Sequence, residues 1–215
     1  MDRASTSTLY YQKMNAATPE KILIDGPAGI IETVIQTPEG PRGIALIAHP
    51  HPLFGGTLDN KVVQTLAKSF LELGYIAVRP NFRGVGQSSG EHDNGIGETE
   101  DLLFLINYAQ QQFTDLPVAL AGFSFGAAVQ AKVAQKFSPQ GMVLIGVAVN
   151  RLQVPPVRND SIIIHGELDD TVPLIDVLNW ARPQDLPVIV LPGADHFFHH
   201  RLPILKNIVH RLWKY

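Results

Sequence analysis

The sequence predicts an α/β fold with a mostly parallel, twisted sheet and helices on both of its faces. Six nearly continuous apolar runs follow one another from residue 43 onwards, as expected of strands that are buried on both faces. Stretches with helical spacing of apolar residues lie between them, and alternation of strand and helix is typical of parallel sheets. The 215 residues, of which 45% are hydrophobic, suffice for one sizeable core.

The N-terminal part of the chain differs from this pattern. Residues 1–19 are polar and irregular, and we expect them to lie outside a single domain that spans residues 20–215. Lys21–Ile24 and Gly29–Gln36 are predicted to be strands joined by a turn. The second strand alternates in part between apolar and polar residues, so we expect the pair to form an antiparallel, hairpin-like edge of the sheet.

The core strands and helices then alternate. The six apolar runs are Ile44–Ala48, Tyr75–Val78, Pro117–Ala121, Met142–Val149, Ile162–Ile164 and Val188–Leu191. Helical stripes occupy residues 62–73, 102–113 and 202–212. About a dozen residues separate the fourth run from the fifth, an ordinary loop length, so we expect little or no cap domain there.

Polar or glycine-rich segments follow five of the six runs. These segments are His49–Gly56, Asn81–Ser88, Gly122–Gly126, His165–Pro173 and Gly193–Phe198. The carboxyl ends of parallel strands meet at one edge of a sheet, and ligands bind at that edge. We therefore expect these segments to converge on one site.

The segment Gly122-Phe-Ser-Phe-Gly126 is a G-x-S-x-G motif between an apolar run and a run of small residues. This context predicts a nucleophile elbow, a sharp strand-to-helix turn that presents the Ser124 hydroxyl above the sheet. A glycine on either side allows the strand and the helix to approach closely. The start of the helix supplies N–H groups and the positive end of its dipole.

A serine hydroxyl needs a base within hydrogen-bonding reach, and the base needs a group that holds its tautomer. His196 follows the last strand and is the predicted base. His199 and His200 are expected to begin the C-terminal helix and to face solvent. Asp169 is the predicted orienting group, and its neighbour Asp170 is the alternative. Either aspartate could instead cap the helix that follows.

An oxyanion hole needs two backbone donors, and one should be the N–H of Phe125, the residue after the nucleophile. The second should come from the loop that follows the first core strand. Both prolines of that loop lack an N–H and cannot donate. The remaining candidates are His51, Leu53 and Phe54. Of these we expect Leu53 to be the donor.

Substrate contacts are predicted for His51, Phe54 and Arg83. Four aromatic residues could supply an apolar wall for a short acyl group: Phe54, Phe125, Phe197 and Phe198. Arg83 could bind a substrate anion, although a salt bridge that braces its loop is the simpler role. His49 and His51 have no third ligand nearby, so we expect them to bind loop backbone and not a metal. His165 is expected to be structural.

Composition excludes several function classes. The chain has no cysteine, which rules out disulfides, thiolate metal sites and cysteine nucleophiles. The net charge is −3 and Lys and Arg form no run, so neither nucleic acid nor a membrane surface is an expected partner. The N-terminus has no apolar signal region and no apolar stretch approaches the length of a membrane span, so we expect a cytoplasmic protein.

These motifs resemble the α/β-hydrolase superfamily from about residue 20 to the end of the chain. The resemblance rests on Gly122–Gly126, on Phe82–Ser88, on His165–Pro173 and on Gly193–His196. The segment His49-Pro-His-Pro-Leu-Phe-Gly-Gly-Thr57, together with Asn60-Lys61-Val62-Val63, is similar to a small bacterial subgroup, usually described as predicted hydrolases or esterases. The resemblance implies that Asp169, three residues after the glycine of His-Gly-x-x-Asp, is the triad acid. Many relatives carry His-Gly where this chain has His-Pro-His-Pro, which leaves the second oxyanion donor open.

The expected function is that of a serine hydrolase acting on a carboxylic ester or thioester of a small to medium acyl substrate. It would use a Ser-His-Asp triad and an acyl-enzyme, without a metal or an organic cofactor. The alternatives are an acyltransferase or a peptidase on the same triad, or a non-catalytic binding protein that reuses the fold. The sequence leaves open whether the chain is a monomer or a homodimer.

Overall fold

An eight-stranded sheet forms the centre of the computed structural model, which describes residues 18–114 and 116–215. The strands are β1 (Glu20–Gly26), β2 (Gly29–Gln36), β3 (Gly43–Ala48), β4 (Tyr75–Pro80), β5 (Val118–Phe123), β6 (Met142–Ile145), β7 (Ile162–Gly166) and β8 (Val188–Leu191). Their order is β1-β2-β4-β3-β5-β6-β7-β8. Only the β1–β2 and β2–β4 pairings among them are antiparallel, which confirms the predicted mostly parallel sheet with an antiparallel edge. Most of the polar segment predicted at residues 1–19 lies outside the described residues.

Helices cover both faces of the sheet. They are α1 (Lys61–Glu72), α2 (Gly97–Gln112), α3 (Phe125–Val133), α4 (Leu174–Ala181) and α5 (Leu202–Leu212), with short 3₁₀ turns at Pro52–Phe54 and Arg182–Gln184. Helices α1 and α5 pack on one face, and α2, α3 and α4 pack on the other. None of the helices in the described ranges is long and apolar enough to cross a membrane.

Strand β3 shows why the core strands read as continuous apolar runs. Ile44 and Leu46 belong to the core on the face covered by α2, α3 and α4 (the α2–α4 face). Ala45 and Ile47 belong to the core on the face covered by α1 and α5 (the α1–α5 face). All six residues of β3 are buried. Successive side chains of a strand point to opposite faces, so burial of both faces requires apolar residues at every position.

Strand β6 is shorter than the sequence predicts. The apolar run Met142–Val149 suggests a strand that reaches Val149, but β6 ends at Ile145. Gly146 adopts a φ of +53°, which ends the extended conformation. Val147 and Ala148 are buried in the turn that follows. The run stays apolar because the turn itself is buried, so hydrophobicity alone does not mark where the strand ends.

Residues 146–161, all of them described, connect β6 to β7 without a helix or a strand. The connector is fastened to the region of α4. The indole nitrogen of Trp180 donates to the carbonyl oxygen of Val154 at 3.1 Å, and the amide of Val157 donates to Oε1 of Gln184 at 2.9 Å. The expectation of little or no cap at this position is confirmed, and the carboxyl edge of the sheet stays open.

Candidate active site

Ser124 lies at the sharp turn between β5 and α3. Its φ of +55° falls in a region that L-residues rarely adopt, so the surrounding structure must hold it there. The amide of Ser124 donates to the carbonyl oxygen of Ile145 at 2.8 Å, and its own carbonyl accepts from the amide of Ala128 at 3.2 Å. Phe125 is the first residue of α3, so its N–H lies at the helix N-terminus beside the Ser124 hydroxyl.

The two glycines of the motif are required by close backbone contacts. A Cβ atom on Gly122 would lie 2.6 Å from the carbonyl group of Gly126. A Cβ atom on Gly126 would lie 2.4 Å from the carbonyl oxygens of both Ala48 and His49. Carbon atoms do not approach backbone atoms so closely, so only glycine fits at either position. The elbow predicted from the sequence is therefore built against the end of β3.

His196 is brought to Ser124 by the loop after β8. Its Nε2 atom lies 3.0 Å from the Ser124 hydroxyl oxygen. The imidazole contacts two aromatic rings, with centroid distances of 4.9 Å to Phe123 and 5.2 Å to Phe197. A Cβ atom on Gly146 would lie 3.3 Å from the imidazole, so the turn after β6 leaves just enough room for this ring. These contacts fix the orientation of His196.

Asp169 holds the other side of the imidazole. Its Oδ2 atom lies 2.6 Å from Nδ1 of His196, and its Oδ1 atom accepts from the amides of Thr171 at 3.0 Å and Val172 at 2.7 Å. A carboxylate accepts at both oxygens, so His196 donates from Nδ1 and its Nε2 is free to accept from Ser124. Ser124 is 7% exposed, His196 3% and Asp169 5%, so bulk water competes little for these hydrogen bonds.

The alternative acid and the alternative bases lie elsewhere. Asp170 is exposed and accepts a long hydrogen bond of 3.4 Å from the Thr171 hydroxyl. His199 is exposed and pairs with Asp195 at 2.5 Å. His200 is also exposed, and both histidines precede α5 instead of beginning it, which corrects the sequence expectation.

His165, at the end of β7, braces the loop that carries Asp169. Its Nε2 atom donates to the carbonyl oxygen of Val172 at 2.9 Å and lies 3.4 Å from Oδ2 of Asp169. The ring is fully buried, and this burial lowers the pKa of His165. A neutral imidazole with its proton on Nε2 therefore fastens one end of the Asp169 loop to the other.

His49 directly follows the last residue of β3, much as His165 lies at the end of β7. Its Nε2 atom accepts a hydrogen bond of 2.9 Å from the amide of Phe82, so the proton must sit on Nδ1. Nδ1 then donates to the carbonyl oxygen of Pro50 at 2.6 Å. Burial lowers the pKa of His49 to about 4, which keeps the ring neutral. Both ring nitrogens are engaged, so His49 binds loop backbone.

The backbone amide of Leu53, in the loop after β3, does not act as the second oxyanion donor in this structure. The Leu53 amide donates to Nδ1 of His51 at 3.3 Å, and Leu53 does not line the cavity in front of Ser124. The Phe54 amide donates to the carbonyl oxygen of His51 at 3.2 Å. Among the described residues, the amide of His51 has no hydrogen-bond acceptor. The expectation for Leu53 is corrected, and His51 is the candidate donor that remains.

A cavity of about 300 Å³ opens in front of Ser124 and His196. Its apolar walls are formed by Pro50, Phe54, Phe125, Ala148 and Phe197. The expected aromatic wall is thus present except for Phe198, which is buried in the core on the α1–α5 face. This volume lies at the lower end of the range for small-molecule sites.

Arg83 does not reach this cavity. Its guanidinium is held by both oxygens of Asp101, with Nε–Oδ2 and Nη2–Oδ1 distances of 2.7 Å and 3.0 Å. Glu100 adds a third contact at 3.5 Å. The substrate contact proposed for Arg83 from the sequence is therefore corrected to a structural salt bridge, which ties the loop after β4 to α2.

The polar side of the cavity holds residues for which the sequence predicted no role in the site. Asn60, Arg151 and Thr171 line it together with the predicted His51. Arg151 lies in the turn after β6. Because the sequence predicted a strand up to Val149, this turn was not recognised as a loop at the carboxyl edge of the sheet. A loop drawn from Gly146 onwards would have brought Arg151 into consideration.

The sequence profile of the family described as serine aminopeptidase, S33, matches residues 41–190. The chain belongs to this family. A 34% identical relative, an uncharacterized protein of Rickettsia prowazekii, aligns over 197 residues and covers 84% of this chain and 83% of its own.

Solved structures agree with this assignment. A 38% identical α/β serine hydrolase homologue from Coxiella burnetii covers 94% of this chain and 100% of its own, with a TM-score of 0.83. A 31% identical serine hydrolase from Xanthomonas campestris, described as having no lid, covers 93% and 95% with a TM-score of 0.85. The predicted α/β-hydrolase fold is confirmed, and membership of the S33 family supports a hydrolase.

Proposed function

We propose that the protein is a serine hydrolase that cleaves a carboxylic ester or thioester of small to medium size through an acyl-enzyme. One observation carries this proposal: the continuous hydrogen-bonded chain from Ser124 through His196 to Asp169, with distances of 3.0 Å and 2.6 Å. The chain gives the serine a base in the correct tautomer, and the base a buried carboxylate that offsets its positive charge.

The reaction takes two steps on these residues. Ser124 attacks the substrate carbonyl carbon while Nε2 of His196 takes the hydroxyl proton. The tetrahedral intermediate collapses, and the alcohol or thiol leaves with the proton from His196, so the acyl group remains as an ester on Ser124. A water molecule that gives its proton to His196 then attacks this ester, and the carboxylic acid leaves as Ser124 is restored.

The oxyanion of the intermediate would be bound by the N–H groups of Phe125 and His51. The peptide between Pro50 and His51 is trans, as no cis peptide occurs among the described residues. In a planar trans peptide the C=O and N–H bonds point in opposite directions. The carbonyl of Pro50 points to the buried ring of His49, so the N–H of His51 points away from that ring and is free to donate.

The cavity favours an ester or thioester over an aminopeptidase substrate. An aminopeptidase must bind a protonated amine, which calls for carboxylate or carbonyl acceptors. No aspartate or glutamate lies among the described residues that line this cavity, whereas Arg151 does. The open edge without a cap also leaves water free to reach the acyl-enzyme, which favours hydrolysis over transfer to another acceptor.

The test is a panel of p-nitrophenyl esters, acyl-CoA thioesters and aminoacyl p-nitroanilides, with Ser124→Ala and the exposed Ser138→Ala as a matched pair. We expect hydrolysis of short esters or thioesters by the wild type and Ser138→Ala, and loss of that activity in Ser124→Ala. A fluorophosphonate probe should label the wild type and Ser138→Ala only. Equal rates for Ser124→Ala and the wild type would refute the mechanism, and a preference for the anilides would assign a peptidase.

A further inference from the structure

We propose that Arg151 binds a carboxylate carried by the substrate, so that the preferred substrates are esters or thioesters of short dicarboxylic acids. The inference rests on the hydrolase proposed above and names its substrate class. It starts from the position of Arg151, which lines the same cavity as Ser124 and His196. No sequence motif pointed to this residue.

The turn that carries Arg151 is fastened to the elbow and to the acid loop. The amide of Arg151 donates to the carbonyl oxygen of Ala148 at 3.3 Å, and the amide of Ala148 donates to the carbonyl oxygen of Ser124 at 3.4 Å. The side-chain amide of Asn150 donates to the carbonyl oxygen of Thr171 at 3.0 Å. The backbone of Arg151 therefore holds a fixed position relative to the nucleophile.

Among the residues that the structure describes, no carboxylate compensates the charge of Arg151. Three other arginines have carboxylate partners: Arg79 with Asp59, Arg83 with Asp101, and Arg158 with Asp160. Within residues 18–114 and 116–215, no carboxylate lies at salt-bridge distance from Arg151. A guanidinium presents five N–H donors in a planar fork that matches a carboxylate, and here a carboxylate from the substrate can occupy it.

An aromatic ring orients the guanidinium. Its central carbon lies over the Phe54 ring at 5.2 Å from the centroid, and the Phe54 ring contacts His51 at 4.8 Å. A guanidinium stacked on a ring keeps the N–H groups along its edge available to a ligand. Phe54 thus supports Arg151 and forms an apolar wall for the carbon chain between the carboxylate and the reacting carbonyl.

The surrounding residues favour an anion at this position. The described residues that line the cavity include no aspartate or glutamate, so nothing negative competes there for Arg151. Burial lowers the pKa of His51, and the positive charge of Arg151 nearby lowers it further, although Glu98 acts in the opposite direction. A cavity of about 300 Å³ has room for a chain of a few carbons between the two carbonyl groups.

The test compares monoethyl glutarate with its uncharged isostere, the monoethyl ester of the glutaric monoamide, by acid release at constant pH. We expect the wild type to have a kcat/KM at least about tenfold higher for the carboxylate, because hydrogen bonds to charged groups are among the strongest. The preference should decrease as ionic strength rises, since exposed charges are screened. Monoethyl succinate and adipate then define the distance between the two groups.

The variants are Arg151→Gln, Arg151→Lys and, as a control, Arg211→Gln, which removes an exposed arginine of α5 that does not line the cavity. Arg151→Gln should abolish the preference, mainly through a higher KM for the carboxylate ester. Arg151→Lys should keep part of it, and Arg211→Gln should keep all of it. A ratio near unity in the wild type, or the same ratio in Arg151→Gln, would overturn the proposal.

The two proposals fail in different ways. If the neutral ester is cleaved by the wild type and not by Ser124→Ala, while the carboxylate gives no advantage, only the role of Arg151 is refuted. If neither ester is cleaved and the fluorophosphonate probe does not label Ser124, the hydrolase itself is refuted and the role of Arg151 falls with it.

Discussion

The amide of Phe82 donates a 2.9 Å hydrogen bond to Nε2 of His49, so one buried imidazole joins the loop after β4 to the loop after β3. Because this bond occupies Nε2 as an acceptor, the Nδ1 proton is directed at the carbonyl oxygen of Pro50. The Pro50–His51 peptide is thereby oriented by a residue outside the cavity. His49 is thus a positioning residue for the candidate oxyanion donor.

The neutral state of His49 should make the free energy of unfolding depend on pH. Its pKa is about 4 in the folded protein, well below the ordinary value of 6.5, because the ring is buried. The unfolded chain binds the additional proton between these values, so the contribution of His49 is complete above pH 6.5 and decreases as the pH falls towards 4. The wild type should therefore lose about 3 kcal/mol more than His49→Gln between pH 7 and pH 4.

Urea unfolding of both proteins at several pH values in this range measures the effect. Free energies of unfolding that change in parallel for the wild type and His49→Gln would contradict the prediction.

The proposed role of the His51 amide can be separated from that of its side chain. The φ of His51 is −55°, a value that proline adopts, so His51→Pro removes the N–H with little change in backbone conformation. His51→Ala keeps the N–H and removes the imidazole. We expect kcat to be about 10²–10³-fold lower for His51→Pro than for His51→Ala, as for the loss of one oxyanion donor.

Leu53→Pro is the matched control for this comparison. It deletes the Leu53 amide, which donates to the His51 ring and does not point into the cavity. Its kcat should stay close to that of His51→Ala. If His51→Pro and His51→Ala have the same kcat, a different group is the second donor.

Asp169→Asn should reverse the tautomer of His196. The amides of Thr171 and Val172 require an acceptor at the Oδ1 position, so an asparagine would keep its oxygen there and turn its NH₂ group towards Nδ1 of His196. The imidazole would then carry its proton on Nε2 and could not accept from Ser124. We expect kcat to fall roughly a thousandfold or more, with little change in KM.

Asp170→Asn removes the same charge from the neighbouring position. Asp170 is exposed, so kcat in this variant should remain within a few-fold of the wild-type value. Equal losses in the two variants would show that net charge, and not the tautomer, is what matters. Steady-state kinetics on the best ester of the panel provides the measurement.

Gly126→Ala should destabilise the protein more than an ordinary glycine substitution. The new methyl group would lie 2.4 Å from two backbone oxygens at the end of β3, where neither the strand nor α3 can move freely. We expect a loss of about 3 kcal/mol in the free energy of unfolding, as for a severely overpacked core. Gly40→Ala is the comparison, since its methyl group would meet open space and only the φ of +57° is unfavourable.

Gly40→Ala should cost about 1 kcal/mol. Urea unfolding of the two variants distinguishes the cases, and similar losses would mean that α3 can shift away from β3 without much cost.

The elbow around Ser124 and the positions of most core strands could be read from the sequence because each depends on local chemistry. Gly122–Gly126 needs glycine where backbones meet, and the runs of β3 and β5 need apolar residues on both faces. The strand β6 was predicted too long because a buried turn and a buried strand both require apolar side chains. Because of that error, the loop that carries Arg151 was not recognised as part of the site.

Some assignments within the loops could not be predicted, because sequence position does not say which hydrogen bonds a loop makes. Leu53 follows a proline just as His51 does, but the Leu53 amide is bound by the His51 ring. Arg83 stands among glycines that suggest a binding loop, but Asp101 of α2 binds its guanidinium. Each case was decided by a partner that is close in space or by a ring orientation.

The sequence by itself determined the order of strands and helices, the elbow around Ser124 and the residue types available for the chemistry, because backbone sterics and burial act through neighbouring positions. The tertiary structure decided which of these residues meet. Asp169 rather than Asp170 contacts His196. Among the residues that the structure describes, the His51 amide has no acceptor, and Arg151 has no carboxylate partner in the cavity that it shares with Ser124. The physical reason is that hydrogen bonds and charges act over a few ångströms in space, and only the packing of distant loops at one edge of the sheet sets those distances.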